Sequence, residues 1–171
     1  MIDIQNFYFS GGQNPLEQPE EASRKAQKIL DMFRKRHLLV VHVRHNAKSG
    51  AGIHERVAPA NGEKVITKDH VNAFKDTNLL EFLRSRKIKN LVICGMMTHM
   101  CVEAAVRAAS DFNFKCVLIG DACATRALKY GDVEVDARAV HLSTLSTLDR
   151  YYAEVMNTDE FLQKMNSGHI H

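Results

Sequence analysis

The sequence lacks the features that mark membrane-spanning, collagenous and disordered proteins. No apolar run approaches the roughly 20 residues that a bilayer-spanning helix needs, and no apolar signal segment opens the chain. Tryptophan is absent, only 3 of the 171 residues are proline, and aromatic residues make up 7%. Hydrophobic residues at 45% and charged residues at 25% are typical of a globular domain. We therefore expect a single domain over residues 1–171, located in the cytoplasm and without a membrane partner.

Charge and cysteine content narrow the function further. The net charge of +3 is small and the basic residues are spread along the chain, so nothing predicts a nucleic-acid partner. The four cysteines follow one another at intervals of 7, 15 and 7 positions, which matches no common zinc-binding spacing. Without a secretory signal, free thiols are expected rather than disulfides. These cysteines are Cys94, Cys101, Cys116 and Cys123.

Helical and strand patterns alternate along the chain. Amphipathic spacing predicts helices, and short apolar runs predict strands that are buried on both faces. The predicted helices are Glu20–Arg36, Leu79–Arg86, Val102–Phe112, Val133–Leu148 and Asp159–Met165. The predicted strands are Leu38–Val43, Leu91–Cys94, Cys116–Ile119 and Tyr151–Met156, and residues 46–62 read as a long loop. The alternation predicts a three-layer αβα protein with a Rossmann-like, mostly parallel sheet.

The first residues resemble the end of a strand whose beginning is missing. Two residues ahead of Asp3 cannot fill a position inside a sheet without leaving backbone groups unpaired. We therefore expect that residues are absent upstream of Met1.

In a parallel sheet, ligands bind beyond the carboxyl ends of the strands. The segments that follow the strands, and where chemistry is expected, are residues 3–6, 44–46, 95–101 and 121–126.

Cys101 is a candidate nucleophile because of its position. It follows a strand and a short loop and falls near the start of a helix. The helix dipole there favours an anion and should lower the pKa of the thiol, which suits covalent catalysis by a thiolate. A base is also needed, and His99, His141 and Asp3 are candidates, with Lys68 as a partner for Asp3. The spacing alone does not choose between these schemes.

Three segments resemble the signatures of the isochorismatase-like cysteine hydrolases, a superfamily that includes nicotinamidases and N-carbamoylsarcosine amidase. They are IDIQN around Asp3, VITKDHVNAF around Lys68 and CGMMTHMCVEAAVRAA around Cys101. Their order and separations match the family as well. The likeness continues through DACATRAL and ARAVHLSTLSTLDRYYAEVMNTDEF, so that it extends from Asp3 to about Leu162. Its most specific element is Gly-x-x-Thr-x-x-Cys-Val, which ends at Val102.

The resemblance implies the isochorismatase-like hydrolase fold and a catalytic triad of Asp3, Lys68 and Cys101. Asp3 would accept the proton of the thiol, and Lys68 would stabilise the charges of the pair. A cis peptide would join Met96 to Met97, and the N–H groups of Met97 and Cys101 would form an oxyanion hole. The implied reaction is attack of the Cys101 thiolate on an amide-type carbonyl, which gives a thioester that water hydrolyses. No cofactor is implied.

Two departures from the family pattern bear on the substrate. Nicotinamidases share an Asp-x-His motif that binds a metal. The corresponding segment of this chain, HVRHNAKSGAGIHERVAP, lacks that motif, and its candidate metal ligands are His42, His45 and His54. We expect neither a metal nor nicotinamidase activity, and a metal role for His45 and His54 is the alternative. Isochorismatases proper commonly lack the cysteine, so Cys101 favours amide hydrolysis over cleavage of an enol ether. A catalytically idle member of the fold is the third alternative, although it would have no reason to keep all three triad residues.

The remaining expectations concern the pocket and the assembly. The residues expected to line a pocket for a small-molecule substrate, because they adjoin the triad segments, are Asn6, Phe7, Tyr8, Phe74 and His99. The helix at 102–112 is rich in small apolar residues, and its apolar face is wider than one sheet-facing stripe. A second copy could approach such a face closely, and family resemblance points the same way. We therefore expect a homo-oligomer, a dimer or a tetramer.

Overall fold

A computed structural model describes residues 1–167, in which a parallel sheet lies between two layers of helices. The helices are α1 (Pro19–Lys35), α2 (Leu79–Ser85), α3 (Glu103–Asp111), α4 (Ala137–Leu148) and α5 (Thr158–Asn166). The strands are β1 (Val41–His45), β2 (Lys64–Lys68), β3 (Asn90–Met96), β4 (Lys115–Ala124), β5 (Leu128–Tyr130), β6 (Val133–Val135) and β7 (Glu154–Met156). No helix in this part of the chain is both long and apolar enough to cross a membrane.

The first three residues join the two halves of the sheet. Ile2 forms parallel bridges to Val43 of β1 on one side and to Gly95 of β3 on the other. Because β1 also pairs with β2, and β4 pairs with both β3 and β7, the order is β2, β1, the segment Met1–Asp3, β3, β4, β7. Every pairing in this sheet is parallel. The predicted α/β class with a mostly parallel sheet is therefore confirmed.

The helix layers follow from amphipathic sequences with matching caps. Helix α1 starts at Pro19, a residue preorganised for the first helical position, and turns its alanine, isoleucine and leucine side chains into the core. Helix α5 starts with a capping box in which Asn157 and Glu160 bind each other's backbone N–H groups. Helix α1 packs with α5 on one face of the sheet, and α3 packs with α4 on the other. All four cysteines are free, as predicted, and all four are buried.

An apolar cavity of about 320 Å³ lies between β1 and β3, beside Met1 and Ile2. Side chains of both helix layers line it, including Leu30 and Phe161 from the layer of α1 and α5 and Ala105 from the layer of α3. None of the three triad residues is part of its lining. The cavity therefore belongs to the hydrophobic interior, and the candidate site lies elsewhere, at the carboxyl ends of the strands.

Several predicted bounds differ from the structure; the strands predicted to begin at Leu38 and Tyr151 begin at Val41 and Glu154. The helix predicted over 133–148 was wrong at its start, because residues 133–135 form β6, which pairs antiparallel with β5. The β-branched Val133 and Val135 favour a strand, Gly131 turns the hairpin at a φ of +58°, and the Asp136 side chain caps α4 by accepting from Ala139 N–H at 2.8 Å. Strand β2 was not predicted, since its sequence alternates exposed and buried residues over only five positions.

Contrary to the expectation from its sequence, helix α3 presents no wide apolar face to a partner. Its apolar residues Ala105, Val106, Ala108 and Ala109 are buried within the chain itself. The small side chains instead let α3 lie close to the sheet and to α4. If the chain forms an oligomer, its interface is therefore expected on a surface other than this face of α3.

Candidate active site

Asp3 reaches the site from the short central segment of the sheet. Its backbone N–H donates to the Val43 carbonyl at 2.9 Å. Its φ of +49° is a left-handed conformation that aspartate adopts more readily than most residues. The carboxylate is fully buried, with Oδ2 at 2.7 Å from Lys68 Nζ, an ion pair that is not aligned as a hydrogen bond. Two charges this deeply buried depend on each other, because either one alone would be costly to desolvate.

Lys68 ends β2 and connects the carboxylate to the thiol. Its side chain is also fully buried, and Nζ donates to Cys101 Sγ at 3.2 Å and to the His70 carbonyl at 3.0 Å. One ammonium group thus contacts both Asp3 and Cys101. The structure therefore brings together the three residues that the resemblance assigns to a triad, although they are far apart in the sequence.

Cys101 lies in a single π-helical turn, Thr98–Val102, that leads from β3 into α3. The N–H groups of Met100 and Val102 both donate to the Met97 carbonyl, at 3.1 and 3.2 Å, and fix this turn to the end of the strand. The peptide bond between Met96 and Met97 is cis. Such π-helical turns occur frequently at functional sites, and here the turn holds the thiol against Lys68.

Gly95 permits the close approach between β3 and the segment that carries Asp3. Its φ is +145°, a region that favours glycine, and a Cβ at this position would lie 1.9 Å from the Ile2 carbonyl oxygen. No other residue would fit without moving one of the two backbones. The glycine of the Gly-x-x-Thr-x-x-Cys-Val element therefore sets the distance between the strand of Cys101 and the segment of Asp3.

The expectation that the helix start lowers the pKa of Cys101 was wrong. The pKa of this thiol is raised to about 12, chiefly because burial disfavours the thiolate and also because the Asp3 carboxylate repels it. The Lys68 ammonium acts in the opposite direction without outweighing these two effects. Burial likewise raises the pKa of Asp3 above its ordinary value of 3.8, against the influence of Lys68. The resting nucleophile is therefore a thiol.

A short 3₁₀ helix, Asn6–Tyr8, follows Asp3 and borders the site. Tyr8 is buried, and its pKa is raised chiefly by burial and further by electrostatic interaction with Cys101 and Asp3, so its hydroxyl stays protonated. Phe7 is also buried, with its ring edge-on to that of Tyr8 at 4.3 Å between centroids. Asn6 is exposed. Of these three expected pocket residues, Tyr8 is the one whose interactions connect it to the triad.

Two histidines that were considered as bases have other partners. His99 Nδ1 forms a hydrogen bond with Thr125 Oγ1 at 2.5 Å, and His141 Nδ1 with Thr98 Oγ1 at 2.9 Å. Neither histidine hydrogen bonds to Cys101 within the described part of the chain. Of the three candidate bases, Asp3 is the one that contacts the same ammonium group as Cys101, and it stays the predicted base.

Phe74 does not lie with the other expected pocket residues. Its ring packs edge-on against Phe112 at 5.4 Å and parallel to Phe114 at 6.3 Å, and it lines the apolar interior cavity. Phe112 follows α3 and Phe114 precedes β4, so this aromatic group marks the amino end of β4. The expectation that Phe74 contributes to the substrate pocket is therefore corrected, because nearness in sequence to Lys68 does not place it at the same edge of the sheet.

Gln5 and His45 lie in two of the segments where chemistry was expected, but neither was assigned a role beside the triad. The Gln5 side chain is fully buried and pairs with the His45 backbone, accepting from its N–H at 2.7 Å and donating to its carbonyl at 2.9 Å. This amide clamp places His45 Nδ1 at 3.4 Å from Lys68 Nζ. A buried glutamine two positions after Asp3 is a signal that sequence reasoning could have used, since buried amides need partners.

The three histidines discussed as metal ligands are dispersed. His42 is buried and pairs with Glu63 at 2.8 Å, while His54 stacks on Phe9 at 3.8 Å between ring centroids. His45 lies beside Lys68. Within residues 1–167, no three or more histidine, cysteine, aspartate or glutamate side chains are grouped so that they could hold a metal ion.

The chain is similar to known proteins along nearly its whole length. The family model described as Isochorismatase domain matches residues 1–160. The isochorismatase family protein YddQ of Bacillus subtilis is 40% identical over 95% of this chain and 97% of its own length. A crystal structure of a protein from Oleispira antarctica, assigned as an isochorismatase hydrolase, superposes with a TM-score of 0.92 at 42% identity, over 95% of this chain and 94% of that one.

A more distant relative carries an assigned reaction. N-carbamoylsarcosine amidase of an Arthrobacter species is 30% identical over 68% of this chain, a match that spans 40% of its own length. The match of the family model over most of the chain and the high identity to YddQ decide the assignment. The chain belongs to the isochorismatase family of hydrolases.

Proposed function

We propose that this hydrolase cleaves an amide-type C–N bond of a small molecule through a cysteine nucleophile. The observation that carries the proposal is the buried arrangement of Cys101, Lys68 and Asp3, with Sγ at 3.2 Å and Oδ2 at 2.7 Å from one ammonium group. A buried thiol next to a carboxylate and an ammonium has the groups that acyl transfer needs. The similarity to a relative named as an amidase supports the same reaction class.

In the first half of the reaction, Cys101 Sγ attacks the carbonyl carbon of the amide. Because the resting thiol is protonated, its proton passes to the Asp3 carboxylate as the S–C bond forms. Collapse of the tetrahedral intermediate breaks the C–N bond, and Asp3 returns the proton to the departing nitrogen. Ammonia or an amine leaves, and the acyl group remains on sulfur as a thioester.

In the second half, water replaces the amine. Asp3 accepts a proton from the water as its oxygen attacks the thioester carbonyl, and the C–S bond then breaks. The proton returns to Cys101, so that one water and one amide give one carboxylic acid and one amine. Lys68 keeps the charge of Asp3 compensated in both halves, and the N–H groups of Met97 and Cys101 are proposed to receive the oxyanion.

A panel of small primary and substituted amides, assayed by release of ammonia or amine, tests the proposal. We expect Cys101→Ala to lower kcat by more than about 100-fold while keeping the fold, since the nucleophile is lost. Cys123→Ala is the matched control, because Cys123 is also free and buried, and it should retain activity. Acid quenching of the wild type followed by mass spectrometry should show acylated Cys101. Retention of more than a tenth of the wild-type kcat by Cys101→Ala would exclude the covalent mechanism and favour acid-catalysed cleavage of an ether.

A further inference from the structure

His45 and Lys68 are neighbours at the carboxyl ends of β1 and β2. The register of this parallel pair sets His45 directly beside Lys68, so that their side chains lie on the same face of the sheet. The Asn46 N–H donates to the Lys68 carbonyl at 2.8 Å, which joins the two strand ends. The buried Gln5 amide holds the His45 backbone through both its N–H and its carbonyl. His45 therefore has a fixed position beside the triad.

The ammonium group of Lys68 has as many hydrogen-bond partners as it has protons. Its Nζ lies at 3.0 Å from the His70 carbonyl, at 3.2 Å from Cys101 Sγ and at 3.4 Å from His45 Nδ1. A lysine ammonium carries three N–H groups, so these three acceptors use all of them. Because Nδ1 of His45 accepts, the proton of the neutral imidazole lies on Nε2.

Asp3 receives the charge of Lys68 but none of its N–H groups. Oδ2 of Asp3 is 2.7 Å from Nζ, yet neither carboxylate oxygen has an aligned hydrogen bond with any residue from 1 to 167. An aligned hydrogen bond from the ammonium would stabilise the carboxylate and make it a weaker base. The free lone pairs of Asp3 are therefore what it needs to accept the proton of Cys101 during attack.

We propose that His45 is a positioning residue, whose imidazole accepts one N–H of Lys68 and so keeps that N–H from turning to Asp3. The inference rests on the proposed role of Asp3 as the base in amide hydrolysis. A buried N–H without a partner is costly. If residue 45 offered no acceptor, the N–H would turn to the carboxylate, which lies 2.7 Å away and has free lone pairs.

The kinetic test compares His45→Asn with His45→Leu. Both side chains lack the imidazole and have nearly the same shape, but only asparagine keeps an acceptor near the position of Nδ1. We expect kcat of His45→Asn to stay within about threefold of the wild type and kcat of His45→Leu to fall about 10- to 100-fold, with little change in KM for either. His54→Leu is the matched control, because the ring of His54 stacks on Phe9, and it should behave as the wild type.

A second measurement needs no turnover. Carbon-13 NMR of the Asp3 carboxyl carbon, assigned by its absence in Asp3→Asn, follows protonation of this carboxylate as the pH changes. The midpoint should lie about one pH unit lower in His45→Leu than in His45→Asn, the size expected for one added hydrogen bond. Both variants lack the imidazole, so the loss of its charge does not contribute to this difference.

The two measurements separate this inference from the proposed function. If His45→Leu alone loses kcat and has the lower midpoint, the positioning role is supported. Equal midpoints in the two variants overturn that role, as does a rise in KM with kcat kept, and the amidase function then stands wherever the wild type hydrolyses an amide. If the wild type hydrolyses no amide but the midpoints differ as expected, the positioning role stands and the amidase function fails. If it hydrolyses none and the midpoints are equal, both are overturned.

Discussion

At the scale of single residues, the state of Cys101 is decided by burial rather than by the helix that follows it. A charge at a helix start gains about 0.3–1 kcal/mol, and up to about 2 kcal/mol when partly buried. Removing a thiolate from water, next to the Asp3 carboxylate, outweighs this gain and raises the pKa of Cys101 to about 12. The carboxylate therefore has two opposing effects, because it disfavours the thiolate at rest and accepts the proton during attack.

These two effects of Asp3 can be separated by one substitution. In Asp3→Asn the negative charge that raises the pKa of Cys101 is gone while Lys68 remains, so the pKa of the thiol should fall. We expect iodoacetamide to alkylate Cys101 several-fold faster at neutral pH in this variant than in the wild type, while amide turnover falls by more than about 100-fold because the base is lost. Peptide mass spectrometry measures the alkylation at Cys101 specifically.

Lys68→Met is the companion variant, since it removes the group that favours the thiolate. It should slow both alkylation and turnover, so the two substitutions should differ in alkylation and agree in turnover. If Asp3→Asn slowed alkylation as much as turnover, Asp3 would have to generate a thiolate in the resting enzyme. That outcome would restore the lowered pKa expected from sequence.

At the scale of elements, periodic patterns predicted the helices and the buried strands well. Helix α1 lies within a residue of its predicted bounds, because apolar spacing and Pro19 determine it locally. Strand β2 and the β5–β6 hairpin were missed, because short exposed strands carry little apolar periodicity. The contact between Asp3 and Lys68 could not be deduced from spacing, since it depends on the order of strands in the sheet. Resemblance to a family supplied that pairing.

The close approach at the end of β3 gives a prediction about stability. In Gly95→Ala the new Cβ would meet the Ile2 carbonyl at 1.9 Å, in a backbone conformation that favours glycine. We expect a loss of several kcal/mol in the free energy of unfolding, seen in thermal denaturation as a decrease of about 10 °C or more in Tm, or failure to fold. Gly131→Ala is the control, because Gly131 also has a positive φ but nothing within 4 Å, and it should lose only about 1–2 kcal/mol.

The comparison between the two glycine variants tests the structure directly. Equal stability of Gly95→Ala and Gly131→Ala would contradict the contact between β3 and the first three residues. If Gly95→Ala folds with reduced stability, its kcat should also fall, since the displaced backbone carries Asp3. The corresponding Gly131→Ala variant should keep its activity, because the β5–β6 hairpin contains none of the triad residues.

At the scale of the whole molecule, three exposed apolar side chains cluster on the β5–β6 hairpin, namely Tyr130, Val133 and Val135, whereas the apolar residues of α3 are buried. Tyr130 is 90% exposed and its cross-strand partner Val133 is 66% exposed. A hairpin with three residues in each strand is marginal in water unless it packs against something else. Because the hairpin's own side chains are uncovered in the single chain, we expect it to be covered by a second copy.

Light scattering of the purified protein tests this expectation. The wild type should have a mass that is two or four times 19.3 kDa, and the double variant Tyr130→Ser/Val133→Ser should move toward the monomer, because it removes the apolar contact without altering the buried core. Tyr151→Ser is the control, since Tyr151 is 85% exposed but lies outside the hairpin, and its assembly should not change. A wild type that scatters as a single 19.3 kDa species would contradict the oligomer. An oligomer unaffected by the double variant would place the interface on another surface, because the exposed hairpin would then contribute nothing to it.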